Sequence, residues 1–190
     1  DALGRGLDEL FQAGVTELFA RVATQAVTVF NIAHEYVHLD TSSFSLHGEY
    51  ESAMAQEAVN RRGAIRITHG YSKEKRPDLK QVVVSLITSP QSALPQWLEA
   101  LDGNSSDKNS FPDTVQAYCQ HLEADEPPWF VMDSASYSKA NLAQWHNVGW
   151  LTRVPETIAA AKRVLQSVAT KEMTALDNGY RIHALDSDYG

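Results

Sequence analysis

Trp129-Phe130-Val131-Met132-Asp133 is a short, continuous apolar run that stops on a carboxylate. It follows Pro127-Pro128, which closes whatever precedes it. An unbroken apolar run of this length, bounded by prolines and an acid, reads as a strand buried on both faces. Working outward, Ser110-Phe111-Pro112-Asp113 is a helix start, with proline and an acid in the first turn. That helix is expected to reach about Glu123, with Val115, Tyr118 and Leu122 on one face. On the other side, Ser136–Trp145 reads as helix, Val148–Val154 as strand, and Pro155-Glu156 opens a helix to about Val168. The apolar run therefore sits inside an alternation of helix and strand.

Further toward the N terminus the pattern is strand-rich. Gln81–Thr88 (QVVVSLIT) is dense in β-branched residues and is the strongest strand signal in the chain. A turn at Pro90–Ala93 separates it from a strand at Pro95–Leu101. Two earlier strands are expected, across roughly 35–41 and 43–50. Residues 51–63 read as a polar loop with one helical turn, 64–68 as extended, and 70–80 and 102–107 as loops. From Ala2 to about Ile32, apolar residues at helical spacing (Leu7, Leu10, Phe11, Val15, Leu18, Phe19) predict one helix, which Gly14 weakens without breaking. A three-strand meander followed by βα units is the element order of a ribonuclease-H-like domain. The expected fold is therefore α/β, a mixed sheet with flanking helices, preceded by an N-terminal helix. The expected divisions are a helical segment over 1–34, a core over 35–168, and a polar tail over 169–190 with turn signals at Asp177-Asn178-Gly179 and Ser187-Asp188-Tyr189-Gly190.

Composition narrows the function classes. The 190 residues are 43% hydrophobic and 21% charged, ordinary for a globular chain of this length. No apolar run is long enough to span a membrane, and no secretory leader pattern is visible. The single cysteine, Cys119, excludes an internal disulfide framework and fits a reducing cytoplasm; it reads as a buried helix residue. A net charge of −8 argues against a simple basic DNA-binding domain. The charge is unevenly spread, however. Between Arg61 and Lys80 lie seven basic residues (Arg61, Arg62, Arg66, Lys73, Lys75, Arg76, Lys80) against Glu74 and Asp78 alone. A stretch of that kind can hold a phosphate backbone or simply be a solvated loop.

Two carboxylates draw the eye. Asp40 follows Tyr36-Val37-His38-Leu39 within or at the end of the first strand, and Asp133 ends the run that opened this section. A carboxylate at a strand end is exposed on the sheet rim, hydrogen-bonded in a turn, or metal-bound. Two of them on neighbouring strands would make an oxygen site for Mg²⁺ or Mn²⁺. In a strand His38 shares a face with Asp40, while Leu39 points to the core. Asp102, Asn104 and Asp107 form a second acidic and amide cluster that reads either as a capped turn or as a site loop. Trp97, Trp129 and Trp150 read as core.

Five stretches carry a family resemblance: HLDTSSFSLHGEY (His38–Tyr50), ITHGYSKEKRPDLKQVVVSLI (Ile67–Ile87), WLEALDGNSSDKNSF (Trp97–Phe111), FVMDSASYSKANL (Phe130–Leu142) and WLTRVPETIAAAK (Trp150–Lys162). In this order they resemble bacterial insertion-sequence transposases of the IS-four family, over roughly residues 35–168. The resemblance implies a ribonuclease-H-like core with a DDE triad, in which Asp40 is similar to the first acid and Asp133 to the second. It implies Mg²⁺ (or Mn²⁺) as cofactor, transposon-end and target DNA as partners, and phosphodiester cleavage and strand transfer without a covalent enzyme intermediate. A homodimer in the intact protein and a bacterial cytoplasmic, nucleoid-associated location follow from it too. Under it, Lys73, Lys75, Arg76 and Lys80 become candidate DNA contacts, and Asp102, Asn104 and Asp107 a possible site loop.

The chain departs from the family at the third acid. That acid should lie on a late helix in a Tyr-x2-Arg-x3-Glu-x6-Lys arrangement, and no such arrangement occurs. Neither Glu156 nor Glu172 fits the place. In the family a β-rich insertion separates the second and third acids, and residues 169–190 look like its beginning. The expectation under the resemblance is therefore a fragment that stops before the third acid, and the opening on Asp1 rather than Met also suggests a fragment. Two other readings stay open: a catalytically inactive, transposase-derived remnant that binds DNA or protein, and a ribonuclease-H-like nuclease that completes its site with Glu156 or Glu172.

Overall fold

The computed structural model describes residues 1–33, 35–50, 64–122 and 126–186. Five strands form one sheet: β1 (Tyr36–Leu46), β2 (Lys80–Thr88), β3 (Pro95–Leu101), β4 (Trp129–Met132) and β5 (Trp150–Thr152), in the order β3-β2-β1-β4-β5. β1, β2 and β3 are an antiparallel meander, and β4 and β5 run parallel to β1. Antiparallel neighbours need only short turns, whereas β4 can join parallel to β1 only after a crossover. Helix α3 (Asp107–Leu122) supplies that crossover. This mixed sheet with flanking helices is the ribonuclease-H-like arrangement the element order predicted.

Alternation along the strands divides the sheet into two faces. Val37 and Leu39 on β1, Ile87 on β2, and Phe130 and Met132 on β4 are buried together with Phe111, Val115 and Tyr118 of α3. Tyr118 stacks edge-on against both Trp97 and Phe130, with ring centroids 6.0 and 6.1 Å apart. Burial raises the Tyr118 hydroxyl's pKa, and that hydroxyl donates to Gln96 Oε1. Cys119 is half-buried beside it and burial pushes its thiol up, as expected of a packing residue.

Several boundaries differ from the sequence expectation. The N-terminal helix is two helices, α1 (Ala2–Ala13) and α2 (Val15–Val29). They break at Gly14, whose φ of 84° ends α1 in a conformation that suits glycine. α2 lies against β3 and buries Ala20 and Ala23, while Leu3, Leu7, Leu10 and Phe11 of α1 stay exposed. The two expected early strands are one continuous strand, β1, because β2 pairs with it from His38 to Leu46 without interruption. Residues 64–68 are not a strand; a single bridge joins Thr68 to Gln81.

α3 begins at Asp107, three residues before the expected start, and holds Pro112 in its interior. A proline there leaves the carbonyl four residues back without a donor. Lys108 is that residue, and the buried Asn141 side chain donates to its carbonyl at 2.9 Å. Asn141 lies on α4 (Lys139–Leu142), a single turn where a longer helix over 136–145 was expected, preceded by a 3-10 turn at Ser134–Ser136. β5 and α5 (Ala159–Ser167) are shorter than expected at both ends. In the tail, β6 (Thr174–Ala175) and β7 (Arg181–Ile182) pair around a turn with Gly179 at φ 85°. That is the first of the two predicted turns. The second, the expected 51–63 loop, Arg61 and Arg62 lie outside the described residues. No helix among the described residues is long and apolar enough to cross a membrane.

Candidate functional site

β1 and β4 pair in register Tyr36–Trp129, Val37–Phe130 and His38–Val131. Two residues further in the same register come Asp40 and Asp133. Neighbouring strands lie about 4.8 Å apart, and in-register residues share a face. Both aspartates are exposed, and each alternates with buried neighbours that face the core: Leu39 and Thr41 around Asp40, Met132 before Asp133. Each carboxylate therefore lies two residues past the last β1–β4 pair, His38–Val131, with Asp133 just beyond the end of β4 at Met132. His38 and Tyr36 share the Asp40 face of the sheet and meet edge-on at 6.1 Å. So does Trp129, which is 59% exposed rather than core as its composition suggested. It packs over Gly149, where an added Cβ would come within 2.5 Å of the indole.

The residues after each aspartate explain how it is held. In Asp133-Ser134-Ala135-Ser136, the carboxylate Oδ1 accepts from the Ala135 N–H at 2.9 Å, capping the 3-10 turn. The Asp133 carbonyl accepts from Ser136 Oγ at 2.6 Å and Thr152 Oγ1 at 2.5 Å, and the two hydroxyls lie 2.9 Å apart. β5 thereby locks the rim of β4. Asp40 Oδ1 accepts from the Thr41 N–H at 2.7 Å. Thr41 Oγ1 donates to Asp107, the first residue of α3, and Lys73 Nζ donates to the Thr41 carbonyl at 2.7 Å. Lys73 Nζ also lies 3.6 Å from Asp107. Sequence reasoning missed Thr41; an alternating strand with a threonine on its buried face beside an exposed acid was the available signal.

The basic loop is more neutralised than its composition suggested. Arg76 forks onto Asp78 at 2.9 and 2.7 Å. Hydrogen bonding and the charge of that guanidinium hold the exposed Asp78 down at about 2. Lys80 Nζ donates to the carbonyls of Glu49 and Tyr50. Lys75, at φ 58°, is exposed. Of the second cluster, Asn104 is exposed and Asp107 joins the Thr41 contact, whereas Asp102 clamps a neighbouring segment. Asp102 accepts from the Arg66 N–H at 2.8 Å and from Arg66 Nε at 2.7 Å. Burial would raise the Asp102 pKa, but the hydrogen bonds and charge of Arg66 outweigh it and lower it. A depressed folded pKa contributes stability above the unfolded value, near 4, that is lost as pH falls through the folded one. In urea unfolding, the cost of Asp102→Asn is therefore expected to be largest at pH 6 and to shrink toward pH 3. A cost independent of pH would refute the clamp.

The two carboxylates are hard oxygen donors of the kind Mg²⁺ takes, one or two at a time, with water and phosphate completing its shell. Among the described residues no group of three or more His, Cys, Asp and Glu side chains gathers as a metal centre. Glu156 is exposed, and Glu172 accepts from the Ala169 N–H within its own turn.

No protein-family model and no curated protein matches the sequence. Solved transposase structures resemble the chain. One is a piggyBac transposase synaptic complex with hairpin DNA, 8% identical, covering 72% of this chain and 26% of its own, with a TM-score of 0.44. Another is the Mos1 mariner paired end complex with Mn, 9% identical, covering 80% of this chain and 47% of its own, with a TM-score of 0.40. A Mos1 paired-end complex with the left transposon end is also 9% identical, with coverages of 72% and 40% and a TM-score of 0.38. The chain spans less than half the length of each. At these scores the fold assignment rests on the strand order and pairing described above.

Proposed function

We propose that this chain is part of the catalytic core of a DDE-type DNA transposase, with Asp40 and Asp133 as two of its metal-binding carboxylates. One observation carries the reading: β1 and β4 are adjacent and parallel, and each acid lies exposed two residues past their last pair, His38–Val131. The IS-four resemblance of the surrounding motifs supports it independently. Mg²⁺ or Mn²⁺ held by the pair would activate water and stabilise the leaving 3′-oxygen in phosphodiester cleavage. The chain's own residues do the positioning. Ser136 and Thr152 fix the end of β4, and Thr41, within β1, is held beside Asp40 by Asp107 and Lys73. Lys75, exposed on the loop before β2, is available to a DNA phosphate, with Lys73, Arg76 and Lys80 close by in sequence. Exposed Tyr36, Trp129 and Leu151 lie on the same face of the sheet as Asp40. A helix bringing a third acid would cover this face, in keeping with the family's late helix. Transposon-end and target DNA are the proposed partners.

The test is Mn²⁺ binding to the full chain, followed by the paramagnetic resonance signal of the free ion. Wild type is expected to bind, and Asp40→Asn and Asp133→Asn each to weaken binding at least about tenfold, since each removes one of two charged ligands. Variants that bind as well as wild type would sink the metal pair. A second reading is a chain that binds DNA without cutting it, in keeping with the exposed Lys75 on the loop before β2. It predicts duplex binding that is unchanged in both Asn variants.

A further inference from the structure

The ladder between β1 and β4 ends at His38 and Val131, three residues before Thr41. Past that point the Thr41 main chain is held by side chains: Asp40 Oδ1 accepts its N–H at 2.7 Å, and Lys73 Nζ donates to its carbonyl at 2.7 Å. Lys73 is 3.2 Å from Thr41 Oγ1 and 3.6 Å from Asp107, whose carboxylate also takes the Thr41 hydroxyl. Thr41 is itself buried. One ammonium thus ties together the loop before β2, the start of α3 and the β1 residue bonded to the Asp40 carboxylate.

We propose that Lys73 is a positioning residue for Asp40, acting through Thr41, rather than a contact to DNA phosphate. The physical argument is one of alternatives. β2 still pairs with β1 here, through Thr41 and Ser85, but on the β4 side no strand pairs with it past His38, and backbone groups facing that side need other partners. Asp40, the proposed metal ligand, and Thr41 lie just past the last pair of that ladder, within β1. An ammonium, with three donors, can meet the carbonyl, the hydroxyl and the Asp107 carboxylate at once. Lys73 thus makes three contacts within the protein, while its side chain stays 45% exposed. Residues that orient metal ligands from behind typically change metal affinity by about 10- to 100-fold when removed.

The inference toward metal rests on the reading of Asp40 as a ligand, so the experiment has two arms on the full chain: wild type, Lys73→Met, Lys73→Arg and Thr41→Val. In the first arm, hydrogen exchange followed by mass spectrometry reads peptides covering β1. Lys73→Met is expected to speed exchange over residues 40–43 at least about tenfold, with β2 and β4 unchanged and Lys73→Arg restoring most of the protection. Unchanged β1 exchange in Lys73→Met overturns the tie, and acceleration across the whole sheet overturns its local nature. In the second arm, Mn²⁺ affinity is expected to fall about tenfold in Lys73→Met and Thr41→Val. Wild-type affinity in both overturns the positioning role. A wild type that binds no Mn²⁺ overturns the metal pair and, with it, the positioning of a ligand, while the exchange arm still decides the tie. Duplex DNA affinity that drops in Lys73→Met with β1 exchange and Mn²⁺ affinity intact would make Lys73 a phosphate contact after all.

Discussion

Phe130→Ala is expected to destabilise the protein by about 3–5 kcal/mol, the range for truncating a buried aromatic. Phe130 is fully buried at the centre of β4, between Val37 on β1 and Trp150 on β5. Its ring meets Tyr118 of α3 edge-on at 6.1 Å, which joins the sheet to the helix that carries the chain across it. Alanine would remove that contact and leave a cavity that two flanking strands cannot close. Domains of this size are stable by only about 5–15 kcal/mol, so a large fraction of the total is at stake. Urea unfolding should show a lower midpoint at an unchanged slope. Phe130→Leu keeps most of the apolar volume and should cost less. Trp129→Ala, next in sequence but exposed, should cost far less than Phe130→Ala; equal losses would refute the assigned faces of β4.

Gly103→Ala is expected to cost at least about 1–3 kcal/mol, the usual range for forcing atoms into filled space. A Cβ at Gly103 would stand 2.0 Å from the Gln81 carbonyl oxygen and 2.5 Å from that of Thr68. Both are backbone atoms, so no side chain can swing aside. Nor can Gly103 withdraw: its N–H donates to the Arg66 carbonyl at 2.9 Å, and its carbonyl accepts from the buried Gln81 side chain at 2.7 Å. Gly6→Ala in α1 is the opposite case. Nothing lies within 4 Å of its Cβ, and exchanging glycine for alanine in a helix interior is favourable by up to about 1 kcal/mol. Thermal unfolding of both variants should show shifts of opposite sign; a Gly103→Ala protein as stable as wild type would mean that the 66–71 segment does not sit against β2 as described.

Much of the fold was legible because it is written in local patterns. β-branched density marked β2, an apolar run between prolines and an acid marked β4, and their order implied the mixed sheet. Boundaries were less legible where a distant residue decides them. α3 runs through Pro112 because Asn141, 29 residues on, meets the orphaned Lys108 carbonyl. β1 is continuous because β2 pairs along it, although its own Thr41-Ser42-Ser43 suggests a break. Gly14 breaks the N-terminal helix by adopting a positive φ, an option the apolar spacing on either side does not reveal.

The candidate site divides the same way. Chemistry came from the sequence: one acid within or at the end of an expected strand, another ending a buried run, a basic loop and an ordered set of motifs suggested the kind of site to look for. Which groups meet was decided only by the tertiary structure. Pairing makes β1 and β4 adjacent and parallel, so that Asp40 and Asp133 each follow the last pair, His38–Val131, by two residues; a register slipped by one would change which side chains share a face. Partnership likewise sorts the basic residues: Arg76 goes to Asp78, Lys80 to two carbonyls and Lys73 to Thr41. A sequence lists charges without saying which are already satisfied. Only folding, by bringing donors and acceptors from distant segments within 3 Å, spends some of them on the scaffold and leaves others to face a ligand.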